Sequence, residues 1–101
     1  MHLQSKKEFA DSLNTFVFTT KYVLEGRDIT YVAHDIDDGA WQFFSDDELE
    51  SFEAVAKIVS LQEILDIDPR LLDFVDMPTG YYATRTTYDE EWIISKCEEQ
   101  L

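Results

Sequence analysis

The chain has one cysteine, two prolines, three glycines and eight basic residues. Each scarcity removes a class of protein. A lone Cys97 forms no intramolecular disulfide, so no disulfide framework holds the fold. Two isolated histidines, His2 and His34, and one cysteine do not make a zinc site. The three glycines are scattered, which excludes a glycine-rich phosphate loop. No apolar run approaches the roughly 18 residues that a membrane-spanning helix needs. The opening MHLQSKKEFADSL has no apolar signal core, so a cytoplasmic location is the expectation. Eight Lys and Arg against 22 Asp and Glu give a net charge of −14, a surface that repels nucleic acid and anionic membrane.

What is present points to one folded domain over residues 1–101. The chain is 45% hydrophobic and 14% aromatic, enough to bury a core despite its charge. The charge is lopsided. Lys6, Lys7, Lys21 and Arg27 outnumber Glu8, Asp11 and Glu25 at the start, whereas beyond residue 27 nineteen acids face only four bases. Such a surface attracts a basic protein partner and speeds the encounter. It also serves simply to keep a protein soluble and monomeric.

The residue pattern predicts α+β architecture: an antiparallel sheet of about four strands, short helices packed on one side, and a C-terminal helix. KKEFADSL reads as a short helix. TFVFTTKYVLE (15–25), DITYVAHDI (28–36) and AWQFFS (40–45) read as strands, being rich in β-branched and aromatic residues. Asp38-Gly39 is a two-residue hairpin signal that would place Ile36 opposite Trp41 and His34 opposite Phe43. On that reading Phe16, Phe18, Tyr22, Ile29, Tyr31, Ala33 and Phe44 form the core face. The other face carries Val17, Thr19, Lys21, Val23, Val32, His34, Trp41 and Phe43 and is partly covered or open to a partner. Residues 46–59 fit either a helix or an acidic loop leading into a short strand at 56–59. Ser60 and Glu63 form a capping box, and Asp68-Pro69 is an N-cap followed by an N1 proline. Met77-Pro78 ends that second helix, and TGYYATRTT (79–87) returns as a strand. Thr87 to Glu90 is a second capping-box pattern, which predicts a final helix carrying Trp92, Ile93 and Cys97.

The acidic stretch DIDDGAWQFFSDDELE invites a calcium reading. An EF-hand loop needs acids at positions 1, 3 and 5, glycine at 6 and glutamate at 12. Counting from Asp35, Gly39 falls at position 5 and Asp46 at position 12, so the frame fails. Only a looser divalent site among Asp35, Asp37, Asp46 and Asp47 remains, and no metal or other cofactor is expected. Paired-carboxylate hydrolysis needs an acid whose pKa is raised by burial. These acids sit in turns and on helix faces. Cys97 has acids beside it, which weaken a thiolate nucleophile, and reads as a small packed residue. His34 reads as a strand histidine. No catalytic residue is assigned, and the chain is not expected to be an enzyme. Arg85, the single base between residues 71 and 95, either pairs with local carboxylates or contacts an anionic ligand.

Trp41, Phe43, Phe44 and Ser45, then Asp68 and Pro69, then Pro78, Gly80, Tyr82 and Arg85 together resemble a small bacterial domain family of unknown function. That family is grouped by genome context with immunity proteins of polymorphic toxin systems. The resemblance spans about residues 30–85, with Ala40 standing where the family usually has glycine. It implies a toxin-neutralising role and no catalytic residues.

Two functions are therefore expected. In the first, the chain is a protein-binding module, in immunity-type form an inhibitor, with Trp41, Asp46, Asp47, Glu48, Glu50 and Glu53 facing a basic partner. In the second, it is a small ligand-sensing or regulatory domain, with a pocket between the sheet and the Pro78–Arg85 turn.

Overall fold

The computed structural model describes residue 9 and residues 11–47, 52–87 and 90–97. Half of the helix expected over 6–13 lies outside them, and its described residues, Phe9 and 11–13, are not helical; Glu48, Glu50 and two members of the Thr87–Glu90 capping box also lie outside.

The fold is α+β, and its sheet has six strands in mixed order. Strand β1 (Phe16–Thr20) is followed by the one-turn helix α1 (Lys21–Leu24), then β2 (Tyr31–His34) and β3 (Trp41–Phe44). A second helical turn, α2 (Phe52–Val55), runs straight into β4 (Ala56–Ser60) and α3 (Leu61–Ile67). A 3₁₀ helix (Pro69–Phe74), β5 (Tyr81–Thr84) and β6 (Ile93–Lys96) complete the chain order. The spatial order is β4-β1-β3-β2-β5-β6. All neighbours are antiparallel except β1 and β3, which run parallel. The buried Thr19 hydroxyl crosses that parallel seam and donates to the Phe43 carbonyl at 2.6 Å.

Local chemistry explains most boundaries. The strand expected over 15–25 stops at Thr20, because the Thr20 hydroxyl accepts from the Val23 N–H and caps α1. The Ser60–Glu63 capping box forms in both directions and opens α3. Asp68 accepts from the Arg70 N–H, with Pro69 in the first turn of the 3₁₀ helix. Of the segment 46–59, expected as a helix or as an acidic loop leading into a strand at 56–59, the described part has a single helical turn at Phe52–Val55 followed by the strand Ala56–Ser60.

Three expectations are corrected. The sheet has six strands and one parallel pairing, where about four antiparallel strands were expected. The expected C-terminal helix is strand β6: the β-branched Ile93-Ile94 pair ladders onto β5, with Ile94 opposite Ala83 and Ile93 opposite Thr84. Cys97 follows that strand and is exposed rather than packed on a helix. The third correction is the hairpin. A two-residue type I′ turn needs positive φ at both central residues, and only Gly39 (φ 73°) has it. The loop is instead Ile36–Gly39, closed by Asp35 N–H to Ala40 O at 2.8 Å and Gly39 N–H to Asp35 O at 3.0 Å. His34 therefore faces Trp41 and Val32 faces Phe43, a shift of two residues.

A two-residue shift preserves faces, yet the buried face is the opposite of the expected one. Val17, Val32, Trp41, Phe43, Val59 and Ala83 join Val23, Leu61, Ile64, Leu65, Leu71 and Phe74 in one buried cluster. The helices thus cover the face that carries Trp41. Phe16, Phe18, Tyr31 and Phe44 lie on the other side, and none of them belongs to the cluster. Among the described residues no helix is long and apolar enough to cross a membrane.

Gly80 sets up β5. Its φ is 87°, its N–H donates to His34 O at 2.7 Å, and an added Cβ would meet the Ile36 side chain at 3.2 Å. Gly80→Ala is expected to lower the unfolding free energy by about 1–2 kcal/mol. Urea denaturation checks this.

Candidate docking face

Strand register assembles the side of the sheet that the described helices leave uncovered. One row runs Ile58, Phe18, Gln42, Ala33, Tyr82, Ser95 across all six strands, and the next runs Phe44, Tyr31, Thr84, Ile93. Phe16, Ile58 and Ile93 are 72%, 60% and 66% exposed. Phe18, Tyr31, Phe44 and Tyr82 are half-buried. Tyr31 stacks on Phe44 with centroids 5.8 Å apart and planes 2° from parallel, and Tyr82 leans on Tyr31 at 6.0 Å. Burial pushes the Tyr31 hydroxyl above its ordinary pKa, with the Cys97 and Tyr82 groups adding to it. A contiguous band of large apolar side chains at the surface is a candidate contact surface.

The end of β3 adds charge to this face. The Arg27 Nε lies 3.0 Å from Asp47 Oδ1, and its Nη2 lies 3.8 Å from Asp46. The Ser45 hydroxyl also donates to Asp47, at 2.6 Å. The Ser45 hydroxyl and then Arg27 hold the Asp47 carboxyl below its usual pKa, while Asp47 raises that of Arg27. A depressed acid stabilises the fold above its unfolded pKa, and that contribution fades as pH falls through the folded value. Asp47→Asn is therefore expected to shallow the loss of stability below about pH 4 and leave the pH 7 spectrum unchanged. Thermal unfolding across the acid limb measures it.

Among the described residues, cavities border the sheet at two places of interest. The first, of 480 Å³, is lined by Thr30, Tyr31, Phe44, Ser45, Asp46, Asp47, Thr84 and Arg85. The second, of 320 Å³, lies between the 3₁₀ helix and the sheet edge and is lined by Asp73, Phe74, Asp76, Met77, Pro78, Tyr81 and Ile94.

The residues singled out in the sequence are distributed unevenly. Asp46 is exposed and Asp47 half-buried, and they sit together beside Tyr31 and Phe44. Glu53 is exposed on α2. Trp41 is corrected: it is 2% exposed, edge-on to Phe9 at 5.0 Å and stacked on His34 at 3.8 Å, so it is no surface anchor. Phe43 is likewise buried. Arg85 is also buried, with Nε and Nη2 donating to Ile29 O at 3.1 and 2.8 Å, Nη2 3.6 Å from Asp68, and the guanidinium 4.1 Å from the Trp92 ring centre. That favours its structural reading over an anionic ligand. His34 donates from Nδ1 to Met77 O at 2.8 Å, which fits a strand histidine held by the fold. Asp35 and Asp37 lie in the β2–β3 loop, at the end of the hairpin away from Asp46 and Asp47. Among the described residues no three His, Cys, Asp or Glu are placed to hold a metal. The aromatic band itself escaped the sequence reading, although strict alternation through FVF, YVAH and WQFF displays it once the covered face is known. Compared with protein-family models, with curated proteins and with solved structures, the chain matches none.

Proposed function

We propose that this chain is a protein-binding module that docks the open face of its sheet on a basic protein. The aromatic and aliphatic band from Ile58 and Phe18 through Phe44, Tyr31 and Tyr82 to Ile93 carries the reading. Large rings held on a rigid sheet lose little entropy on binding and make effective anchors. Charge selects the occupant. A second copy of the chain would bring another −14 to the same face, whereas a cationic partner gains attraction and a faster encounter. An immunity-type inhibitor of a basic toxin is the form of this function that the family resemblance implies, and such a module needs no catalytic group.

The test is capture at low salt, identification of the bound protein, and titration of the purified pair. A basic partner is expected, with affinity falling at least tenfold as salt rises from about 50 to 500 mM. A neutral or acidic partner, or an affinity indifferent to salt, contradicts the reading.

The 320 Å³ groove beside Pro78 supports a second reading, a ligand-sensing domain, since its apolar walls suit a small molecule. Thermal-shift screening distinguishes it: a metabolite that raises the melting temperature and is blunted by Tyr81→Ala favours the groove.

A further inference from the structure

We propose that the 480 Å³ cavity at the end of the open face receives an arginine side chain of the basic partner. The inference rests on the docking reading above and adds to it the chemistry of the central contact. Tyr31 and Phe44 form one wall, two rings stacked within 2° of parallel across β2 and β3, with an outward ring face left for a ligand. A guanidinium is flat and weakly hydrated, so it stacks on such a surface and gains cation–π attraction there. Asp46 and Asp47 stand on the rim. The Asp46 side chain is 65% exposed, and its contact with Arg27 is long at 3.8 Å, so it retains capacity for a second cation. Thr84, paired with Tyr31 on the neighbouring strand β5, adds a hydroxyl to the lining.

The chain already displays the interaction. Arg27, itself 59% exposed, reaches from the segment before β2 and holds both carboxylates. Its guanidinium is the internal counterpart of the incoming one, and it competes for the same oxygens. Arg85 also borders the cavity, but its charge is turned into the fold, onto Ile29 O, Asp68 and Trp92. The cavity mouth therefore presents carboxylates rather than a buried cation. An acidic rim with an aromatic wall repels anionic metabolites and suits a planar cation carried by a larger molecule. Lysine fits less well, because its compact ammonium neither stacks nor bridges two acids as a fork does.

The probe is Nα-acetyl-arginine amide, titrated into isotope-labelled protein and followed by amide chemical shifts. Shifts are expected at Tyr31, at 44–47 and at Thr84. The neutral citrulline analogue is expected to bind about tenfold more weakly, since it loses both the cation–π and the carboxylate contacts. Arg27→Ala is expected to tighten arginine binding about threefold by removing the competitor. Phe44→Leu, which keeps the side chain apolar, is expected to weaken it about fivefold, with the dispersion of the spectrum reporting that the fold is intact. Equal binding of citrulline, or shifts elsewhere on the surface, overturns the proposal. A blocked hexapeptide alternating arginine and valine runs in parallel. If it perturbs Phe18, Ile58 and Ile93 while the cavity residues stay still, the cavity assignment is wrong and the docking face stands. If it perturbs no residue of the open face, both fail.

Discussion

Arg85→Met is expected to lower the unfolding free energy by about 3–5 kcal/mol, the usual loss when one partner of a buried ion pair is removed. Three groups suffer at once. The Ile29 carbonyl loses two donors, at 3.1 and 2.8 Å. The Asp68 carboxylate, with its side chain 6% exposed, loses a cation 3.6 Å away. Trp92 loses the guanidinium lying 4.1 Å from its ring centre. Methionine restores the packed volume but none of the hydrogen bonds. Asp68 keeps the Arg70 N–H at 3.1 Å, and Arg70 Nε stands 3.7 Å away, so its charge is only partly compensated. That makes the pair testable by a double-mutant cycle. Adding Asp68→Asn to Arg85→Met is expected to recover about 1–2 kcal/mol relative to the sum of the single losses, because the uncompensated carboxylate is then gone. Denaturant titration of the four proteins supplies the cycle. Additive losses would mean that Arg85 stabilises the fold through contacts other than the one with Asp68. Domains of this size are stable by about 5–15 kcal/mol, so the single variant is expected to lose a large fraction of the total.

Trp41 yields the second large effect and a sharp contrast. Trp41→Ala is expected to cost about 3–5 kcal/mol, through lost burial and the cavity left among Phe9, His34 and Phe43. Trp41→Phe is expected to cost less than about 1.5 kcal/mol. Among the described residues the buried indole N–H of Trp41 has no hydrogen-bond partner. Phenylalanine removes that orphan while retaining a ring for the edge contact with Phe9 and the stack with His34. Differential scanning calorimetry separates the two variants readily. A Trp41→Phe loss as large as the alanine loss would mean that the indole N–H is satisfied in solution.

Much of the architecture was legible from the sequence, and its failures have identifiable causes. Ser60-Glu63 and Asp68-Pro69 were readable because a cap is a local device: the hydroxyl or carboxylate and the amide it serves lie within three residues. The α+β class and four of the strands, β1, β2, β3 and β5, followed from β-branched and aromatic runs. The choice of buried face did not, because FVF, YVAH and WQFF place large apolar groups on both sides of the sheet. Alternation defines two faces without saying which one the helices will cover. Leu61, Ile64, Leu71 and Phe74 made that choice through contacts far apart in sequence. The last helix failed for a related reason. A capping-box pattern is a weak local preference, and the free edge of β5 offered Ile93 and Ile94 a ladder that outweighed it. Asp38-Gly39 misled because a glycine with positive φ closes four-residue loops as well as two-residue ones. At the candidate site, Asp46 and Asp47 were visible as acids, but their neighbours Tyr31 and Phe44 had been assigned to the core. Trp41 was read as an anchor from its chemistry alone, when its position on the covered face makes it a centre of the core.

The docking function turns on one face, and one comparison isolates it. The purified complex with the captured basic protein is titrated using the wild-type chain, Phe44→Ser, Ile93→Ser, and a control, Ile67→Ser, on the exposed side of α3. The open-face variants are expected to weaken binding by about 30-fold each, the size of a contact worth about 2 kcal/mol, while Ile67→Ser stays within twofold. Wild-type affinity in both open-face variants, or a loss confined to Ile67→Ser, would place the partner on the helical side and contradict the docking face.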